Sequence, residues 1–383
     1  MIICHICLSG PYNEGWTYQE NLLSKYHAKL GHRVFLLATP YAIADQGMEK
    51  KPAERYLNAD GVYIIRLRAR RNLLLGSRGN RFPALSEELE AISPNILFVH
   101  SPQFLDAGLV ANYVSKHPEC ILYVDNHADH SNSATNWFSS LFLHRILWKH
   151  SAHQLLRCAT KFYGVLPARV DFLVDMYGLP REKCELLVMG ADDELVEKAI
   201  QTDAHNRIRT KYHIADNDFL VMTGGKIDQW KTQTLLLMEA VQKLEDSRVR
   251  LIVFGSVVPE LRTQFDALVD GTKVQYAGWV QAGETYDYAA AADLFVFPGR
   301  HSVLWEQIAG QGVPMLIKDW PGTHHVDLGG NVAFLQEGST EEIREILQHL
   351  LDHPEELSHM KDVAVREGMR VFSYEDIARR SIE

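Results

Sequence analysis

The stretch Ala292-Asp-Leu-Phe-Val-Phe-Pro-Gly-Arg-His-Ser-Val-Leu-Trp-Glu-Gln-Ile-Ala-Gly-Gln-Gly-Val-Pro314 decides how this chain is read. Leu294 to Phe297 are apolar without a break, as in a parallel strand covered on both faces, and Pro298-Gly299 ends the run. A helix opening near Ser302 is predicted to follow. Its free backbone N–H groups and positive dipole end would face the crevice outside the strand's carboxyl end, where anionic ligands bind in open α/β sheets. Glu306 then falls about one turn into the helix. A carboxylate there is badly suited to phosphate but well suited to accept hydrogen bonds from ribose hydroxyls. The same residues also fit a plain loop capped by Ser302, with Glu306 a solvated first-turn carboxylate.

A second stretch has the same layout. Phe219-Leu-Val-Met-Thr-Gly-Gly-Lys226-Ile-Asp-Gln-Trp-Lys231 is an apolar strand, a double glycine, then two lysines flanking a short loop before a helix. Gly224 and Gly225 allow a sharp backbone turn, and Lys226 and Lys231 are expected to converge and neutralise a diphosphate leaving group. No Walker pattern is present, and either lysine alone would read as ordinary surface charge.

Outward from these two stretches, strands are expected at about Ile2 to Leu8, Arg33 to Ala38, Val62 to Leu67, Ile96 to His100, Ile121 to Asp125 and Lys161 to Val165. A second set falls at about Phe219 to Thr223, Arg250 to Phe254, Val274 to Tyr276, Leu294 to Phe297, Met315 to Lys318 and Val332 to Leu335. Alternation of strands with helical segments makes doubly wound parallel sheets, so the fold class is α/β with two domains. The 383 residues and 46% hydrophobic content suffice for two cores. The domains are read as residues 1–190 and 191–367, with a helix at about 368–383 packing back on the first. The loop Gly10 to Glu20 carries Gly15 at a helix start. No repeat and no low-complexity linker is seen.

Asp125-Asn-His127-Ala-Asp129-His130 lies at the carboxyl end of a first-domain strand. Its spacing lacks the i, i+4 histidines of a helical zinc motif, so a metal is not expected. His130 reads as a helix-cap or core histidine, and His100 is a second candidate for the site. The net charge of −10 argues against general nucleic-acid binding. Arg66, Arg68, Arg70, Arg71, Arg78 and Arg81 nonetheless form a basic run around Leu73 to Leu75. It fits either contact with anionic lipid or a lipid-linked acceptor, or a strand edge kept soluble by arginine. Trp137 to His150 has the aromatic and basic residues of an interfacial helix and also reads as a core helix. Five cysteines at scattered positions fit a reducing compartment, and Cys4 and Cys7 point to opposite faces of a strand. No bilayer-spanning run is present, and Met1-Ile-Ile-Cys-His-Ile-Cys reads as a first strand rather than a signal peptide. A cytoplasmic protein, peripheral to the membrane at most, is expected.

Together the two nucleotide-type stretches resemble the retaining glycosyltransferases of family 4, which have the GT-B fold of two Rossmann-like domains facing a central cleft. Lys29-Leu-Gly-His-Arg-Val-Phe, Tyr288-Ala-Ala-Ala-Ala-Asp-Leu-Phe-Val and Val188-Met-Gly-Ala-Asp192 are further points of likeness. The resemblance implies that Lys226 and Lys231 grip the donor diphosphate, that Gly15 approaches the donor phosphate, and that Glu306 is the second Glu of the family's Glu-x7-Glu motif and meets the ribose. It assigns His127 as the first-domain active-site histidine, places His100 and Asp125 on the acceptor side, and puts the base near Trp279 and Val280. Pro298 stands where the first motif Glu should be, so Arg300, His301, Ser302 and the Val303 backbone take over part of the donor contact. The implied function is hexosyl transfer, with retention, from a nucleotide diphosphate sugar, UDP by family frequency. The acceptor is a glycan or glycolipid hydroxyl in bacterial polysaccharide assembly, and no metal cofactor is required. A catalytically inactive nucleotide-binding protein and a sugar-nucleotide epimerase on the same scaffold are the alternatives.

Overall fold

A computed structural model describes residues 1–44, 47–70, 79–130, 133 and 139–383. The chain divides into two units, Met1–Val188 with Ile377–Glu383, and Met189–Asp376. It rejoins the first unit at Ile377 rather than near residue 368. The reason is a backbone tie: Ala191 N donates to Phe372 O at 2.8 Å and Tyr374 N to Ala191 O at 3.2 Å, which keeps Phe372 and Tyr374 with the second unit.

The first unit contains β1 (Ile2–Cys7), β2 (Arg33–Ala38), β3 (Tyr41–Ala44), β4 (Gly47–Lys50), β5 (Arg55–Leu57), β6 (Val62–Arg66), β7 (Ile96–His100), β8 (Ile121–Asn126), β9 (Lys161–Gly164) and β10 (Cys184–Leu186). Eight of them form one sheet in the order β10-β9-β8-β7-β1-β2-β6-β5. All neighbours are parallel except β5, which pairs antiparallel with β6 (Tyr56 opposite Ile64). This edge strand, the β3–β4 hairpin and β10 lie outside the sequence expectation, because each strand is only three or four residues long. In contrast, β7 is buried along its whole length, as the unbroken Ile-Leu-Phe-Val predicts.

The second unit contains β11 (Phe219–Gly224), β12 (Val249–Phe254), β13 (Val274–Gly278), β14 (Leu294–Phe297), β15 (Met315–Lys318) and β16 (Val332–Leu335). They form one parallel sheet in the order β13-β12-β11-β14-β15-β16. Strand order reverses between β11 and β14, and in the first sheet between β1 and β7. Loops leaving the carboxyl ends of such strand pairs diverge to opposite faces and open a crevice. Both glycine-bearing stretches of the second unit leave at its reversal point.

Three expectations change at this level. Arg66 does not belong to a surface patch. It is 6% exposed, donates to the carbonyls of Tyr12 and Thr39 and stacks on the Tyr12 ring. Arg68 and Arg70 are exposed, Arg81 pairs with Asp106, and Arg71 and Arg78 lie outside the described residues. Gly15 has φ +74° but sits in the loop before the helix Gln19–Lys29, not at its start. His130 is exposed with its ring edge on Phe172, neither a helix cap nor core. Trp137 and Phe138 lie outside the described residues, whereas Trp148, from the same stretch, is in the first core. All five cysteines are free thiols, and burial raises Cys4 and Cys7 above the ordinary range.

The closest backbone approach of a glycine in the second unit is between Gly225 and Gly255. A Cβ on Gly255 would lie 1.9 Å from Gly225 O, and Gly255 has φ +117°. Gly255→Ala is expected to lower unfolding stability by about 3 kcal/mol or more. Gly61→Ala, at φ +81° with nothing within 4 Å of its Cβ, should cost only about 1 kcal/mol. Chemical denaturation of the two variants measures the difference.

Candidate active site

In the second unit, loops from three strand ends meet. Gly225, after β11, packs on Gly255, after β12, and Gly255 N donates to Gly278 O at 2.7 Å, which brings the end of β13 alongside. Trp279 follows, 67% exposed, with Val280 buried behind it. The loop after β14 closes on the same place. A Cβ on Gly299 would meet Gln233 Oε1 at 3.2 Å and Lys231 Cα at 3.9 Å, Gly299 O accepts from Trp320 Nε1 at 3.1 Å, and Arg300 stacks on the Trp230 ring at 4.6 Å.

The two lysines differ. Lys231 Nζ comes within 3.7 Å of the position a Gly225 Cβ would take. Its burial lowers its pKa, with Asp228 opposing the shift. Lys226 is largely exposed and lies 3.5 Å from Asp228. Asp228 thus answers both cations and organises their loop, accepting from Trp230 N at 2.9 Å and giving its carbonyl to Lys231 N at 2.8 Å. The sequence reading had the lysines and the glycines but not this carboxylate between them.

The helix after β14 runs Leu304–Gly310, so it opens after Val303 rather than at Ser302, whose Oγ lies 3.5 Å from Leu304 N. Glu306 is fully buried, which corrects the picture of a carboxylate offered to the crevice. Its Oε1 accepts from His301 Nε2 and His325 Nε2, each at 2.8 Å. Burial alone would raise its pKa; the charges and hydrogen bonds of the two imidazoles win and hold it below the ordinary carboxylate range. Among the described residues Oε2 has no hydrogen-bond partner. The ring of His301 is the most exposed member of the trio. His325 was missed in the sequence: it lies in a short turn after β15, and nothing in Thr323-His-His325 marks which element it would face.

A similar arrangement stands at the carboxyl ends of β7 and β8 in the first unit. Asp125, fully buried, accepts from His100 Nδ1 at 2.7 Å and from Ser101 N at 3.1 Å, and His127 Nε2 lies 3.5 Å away. Burial would again raise the carboxyl, and His100 and His127 outweigh it. Ser101 is held at φ +79°, a conformation that costs a non-glycine residue roughly 1–3 kcal/mol. That strain aims its N–H at Asp125. His127 is about a third exposed and so is the member that faces solvent. Of the predicted site residues, Gly225, Lys226, Lys231, Trp279, Val280, Arg300, His301, Ser302, Val303 and Glu306 gather at the second sheet, and His100, Asp125 and His127 at the first.

Each trio, His100/Asp125/His127 and His301/Glu306/His325, brings its ligand-type atoms within 4.8 Å of one another. His100 turns its other nitrogen to His5, and among the described residues the second nitrogen of His325 has no hydrogen-bond partner.

Burial of neutral imidazoles has a measurable consequence. It pushes His27 down to about 3 and His5 well below its ordinary value of 6.5. Below that value the unfolded chain binds protons on both rings and the folded chain does not, so stability falls as pH drops from about 6.5 toward 3. The slope is about 1.4 kcal/mol per pH unit for each ring. Denaturant unfolding between pH 7 and 5, above the window of the depressed carboxylates, should show that slope. His27→Gln should remove about half of it, and an unchanged slope would contradict the assignment.

Residues 217–353, most of the second unit, match the family model described as glycosyl transferases group 1. No curated protein matches the chain. Among solved structures, the glycosyltransferase of Rickettsia africae has TM-score 0.66 at 12% identity, covering 100% of this chain and 96% of that one. HepE of Anabaena, in complex with UDP-glucose, has TM-score 0.66 at 15% identity over 100% and 98%. A Listeria monocytogenes protein assigned as UDP-N-acetylglucosamine 2-epimerase has TM-score 0.64 at 15% identity over 100% and 94%. At these identities the likenesses establish the fold. Residues 217–353 thus match a glycosyl transferases group 1 domain, and the chain around it has the GT-B fold of these structures.

Proposed function

We propose that the chain moves a hexosyl unit from a nucleotide diphosphate sugar, a UDP-sugar, to a hydroxyl of a glycan or glycolipid acceptor with retention of configuration. The observation that carries this reading is the meeting of Gly225 and Lys231 with the Gly299–Glu306 loop at the strand-order reversal of the second sheet. HepE, which shares the fold, binds UDP-glucose, and this supports the choice of nucleotide.

The donor diphosphate lies against the Gly225 turn, where an unhindered backbone admits it and Lys231 opposes its charge. Lys231 is already partly desolvated, so little reorganisation is needed as the leaving group gains charge. Lys226 and Arg300 are exposed and add charge from the rim. The ribose contact passes to His301. Its Nε2–H is committed to Glu306, which orients the ring, and its Nδ1 has no protein partner among the described residues and so is free to hydrogen-bond a ribose hydroxyl. The acceptor oxygen bonds to the anomeric carbon on the face the diphosphate leaves. The C–O bond electrons go to the diphosphate, and the acceptor's proton goes to a departing phosphate oxygen. Asp125, through its bond to His100 and its proximity to His127, keeps His127 oriented toward the acceptor side. Pro298, in place of the first motif Glu, offers no nucleophile for a double displacement. No metal is invoked.

Among the described residues no helix is long and apolar enough to cross a membrane. We place the reaction at the cytoplasmic side of polysaccharide assembly, with exposed Arg68 and Arg70 available to an anionic lipid surface.

Nucleotide release and sugar transfer, measured with a panel of UDP-sugars and glycan acceptors, test the proposal. Lys231→Ala should lower turnover about 100-fold or more, the scale of removing a leaving-group stabiliser, and Lys226→Ala about tenfold because that amine is already solvated. Full turnover in Lys231→Ala would sink it. Conversion of the donor without any acceptor would point to epimerisation instead.

A further inference from the structure

Asp125 stands at one end of an unbroken line of rings inside the first unit. His100 Nδ1 lies 2.7 Å from Asp125 Oδ2, His5 Nδ1 2.9 Å from His100 Nε2, and His27 Nδ1 3.0 Å from His5 Nε2. His27 Nε2 ends the line 3.0 Å from both Ser381 Oγ and Ala378 O. The three rings, Asp125 and Ser381 are all buried. The line passes from β8 through β7 and β1 to the helix Gln19–Lys29 and reaches residues that rejoin the first unit after Asp376.

A neutral imidazole has one N–H and one lone pair, so each ring in a line donates on one side and accepts on the other. Asp125 as a carboxylate only accepts, which places the hydrogen of His100 on Nδ1. His100 Nε2 then accepts from His5 Nδ1–H, and His5 Nε2 accepts from His27 Nδ1–H. A lone pair is left on His27 Nε2. Of its two neighbours, the Ala378 carbonyl has no hydrogen to give and the Ser381 hydroxyl has one.

Ser381 Oγ also lies 2.8 Å from Ala378 O. If the hydroxyl turned to that carbonyl, His27 Nε2 would need its own proton, and three rings would carry four N–H groups beside one carboxylate. Burial disfavours that added charge on His5 and His27, so in the competing arrangement it would fall on His100, beside the Asp125 carboxylate. We infer that Ser381 sets the tautomer of His27, His5 and His100, and that this line of rings positions Asp125 and, through it, His127. Ser381, His27 and His5 are therefore positioning residues, remote from the reacting atoms. The link to turnover rests on the role proposed for His127, whereas the tautomer assignment does not.

Nitrogen-15 NMR of the full chain labelled at histidine tests the inference, with His27 signals identified by their loss in His27→Gln. In the unsubstituted protein, His27 should carry its proton on Nδ1 and none on Nε2. Ser381→Ala removes the hydroxyl donor, and His27 Nε2 should become protonated toward the Ala378 carbonyl; Ser381→Thr, which keeps a hydroxyl, should preserve the original pattern. A protonated Nε2 in the unsubstituted protein, or an unprotonated one in Ser381→Ala, would overturn the tautomer assignment. Ser381→Ala should also lower kcat about fivefold to tenfold with donor KM unchanged. The expected tautomer change with kcat unaltered would overturn the positioning role. Full activity of His127→Ala would instead remove the first-unit site from catalysis while leaving the tautomer result standing.

Discussion

The contact between the Gly225 and Gly255 backbones is the constraint on which the second unit's site depends. A Cβ on Gly255 would strike the Gly225 backbone, and both glycines hold φ at +117°, a conformation that side chains disfavour. With side chains removed there, the ends of β11 and β12 close up, Lys231 is drawn over Gly225, and the crevice is floored by backbone rather than by side chains. Backbone floors suit phosphate because they present N–H groups and exclude bulk. Trp320 then fixes Gly299 from the other side of the reversal point, and Arg300 reaches back to Trp230.

Each unit also solves one electrostatic problem in the same way. A fully buried carboxylate, Asp125 or Glu306, sits by the carboxyl end of a parallel strand with two imidazoles facing it. An unpaired buried carboxylate would neutralise itself by taking a proton. The paired imidazoles keep both ionised, and in return each carboxylate fixes the orientation of one partly exposed histidine, His127 or His301. The acid is a support, and the histidine is the more exposed member. In the proposed reaction the ribose contact falls to His301 rather than to Glu306, where the sequence placed it.

What the sequence made legible was local. Continuous apolar runs located β7, β11 and β14, and double glycines and Pro-Gly marked the turns after them, because such patterns are set by neighbours in the chain. Lys231 and Glu306 were found because each follows such a turn, and His127 because it stands at the end of a predicted strand and matches the family's histidine. Asp228 was overlooked although it lay between the lysines, since a carboxylate in a lysine-bearing loop has no pattern of its own. His325, His5 and His27 were out of reach for another reason: each faces a partner brought in by tertiary packing, and a histidine in a strand or helix reads as core. Arg66 misled for the mirror reason. A run of arginines looks like surface, yet alternation along β6 turns that one inward to the Tyr12 and Thr39 carbonyls.

The central claim is that the second unit holds a nucleoside diphosphate at the Gly225–Lys231 turn and the Gly299–Glu306 loop. The most direct measurement is thermal unfolding of the full chain with UDP, GDP, ADP, CMP or no ligand, repeated on Lys231→Ala and His301→Ala. A ligand at ~100 times its dissociation constant adds about 2.7 kcal/mol to stability. The account predicts a rise in Tm with one diphosphate, UDP, that is reduced in both variants. Stabilisation by none of them, or a UDP shift undiminished in both variants, would contradict it.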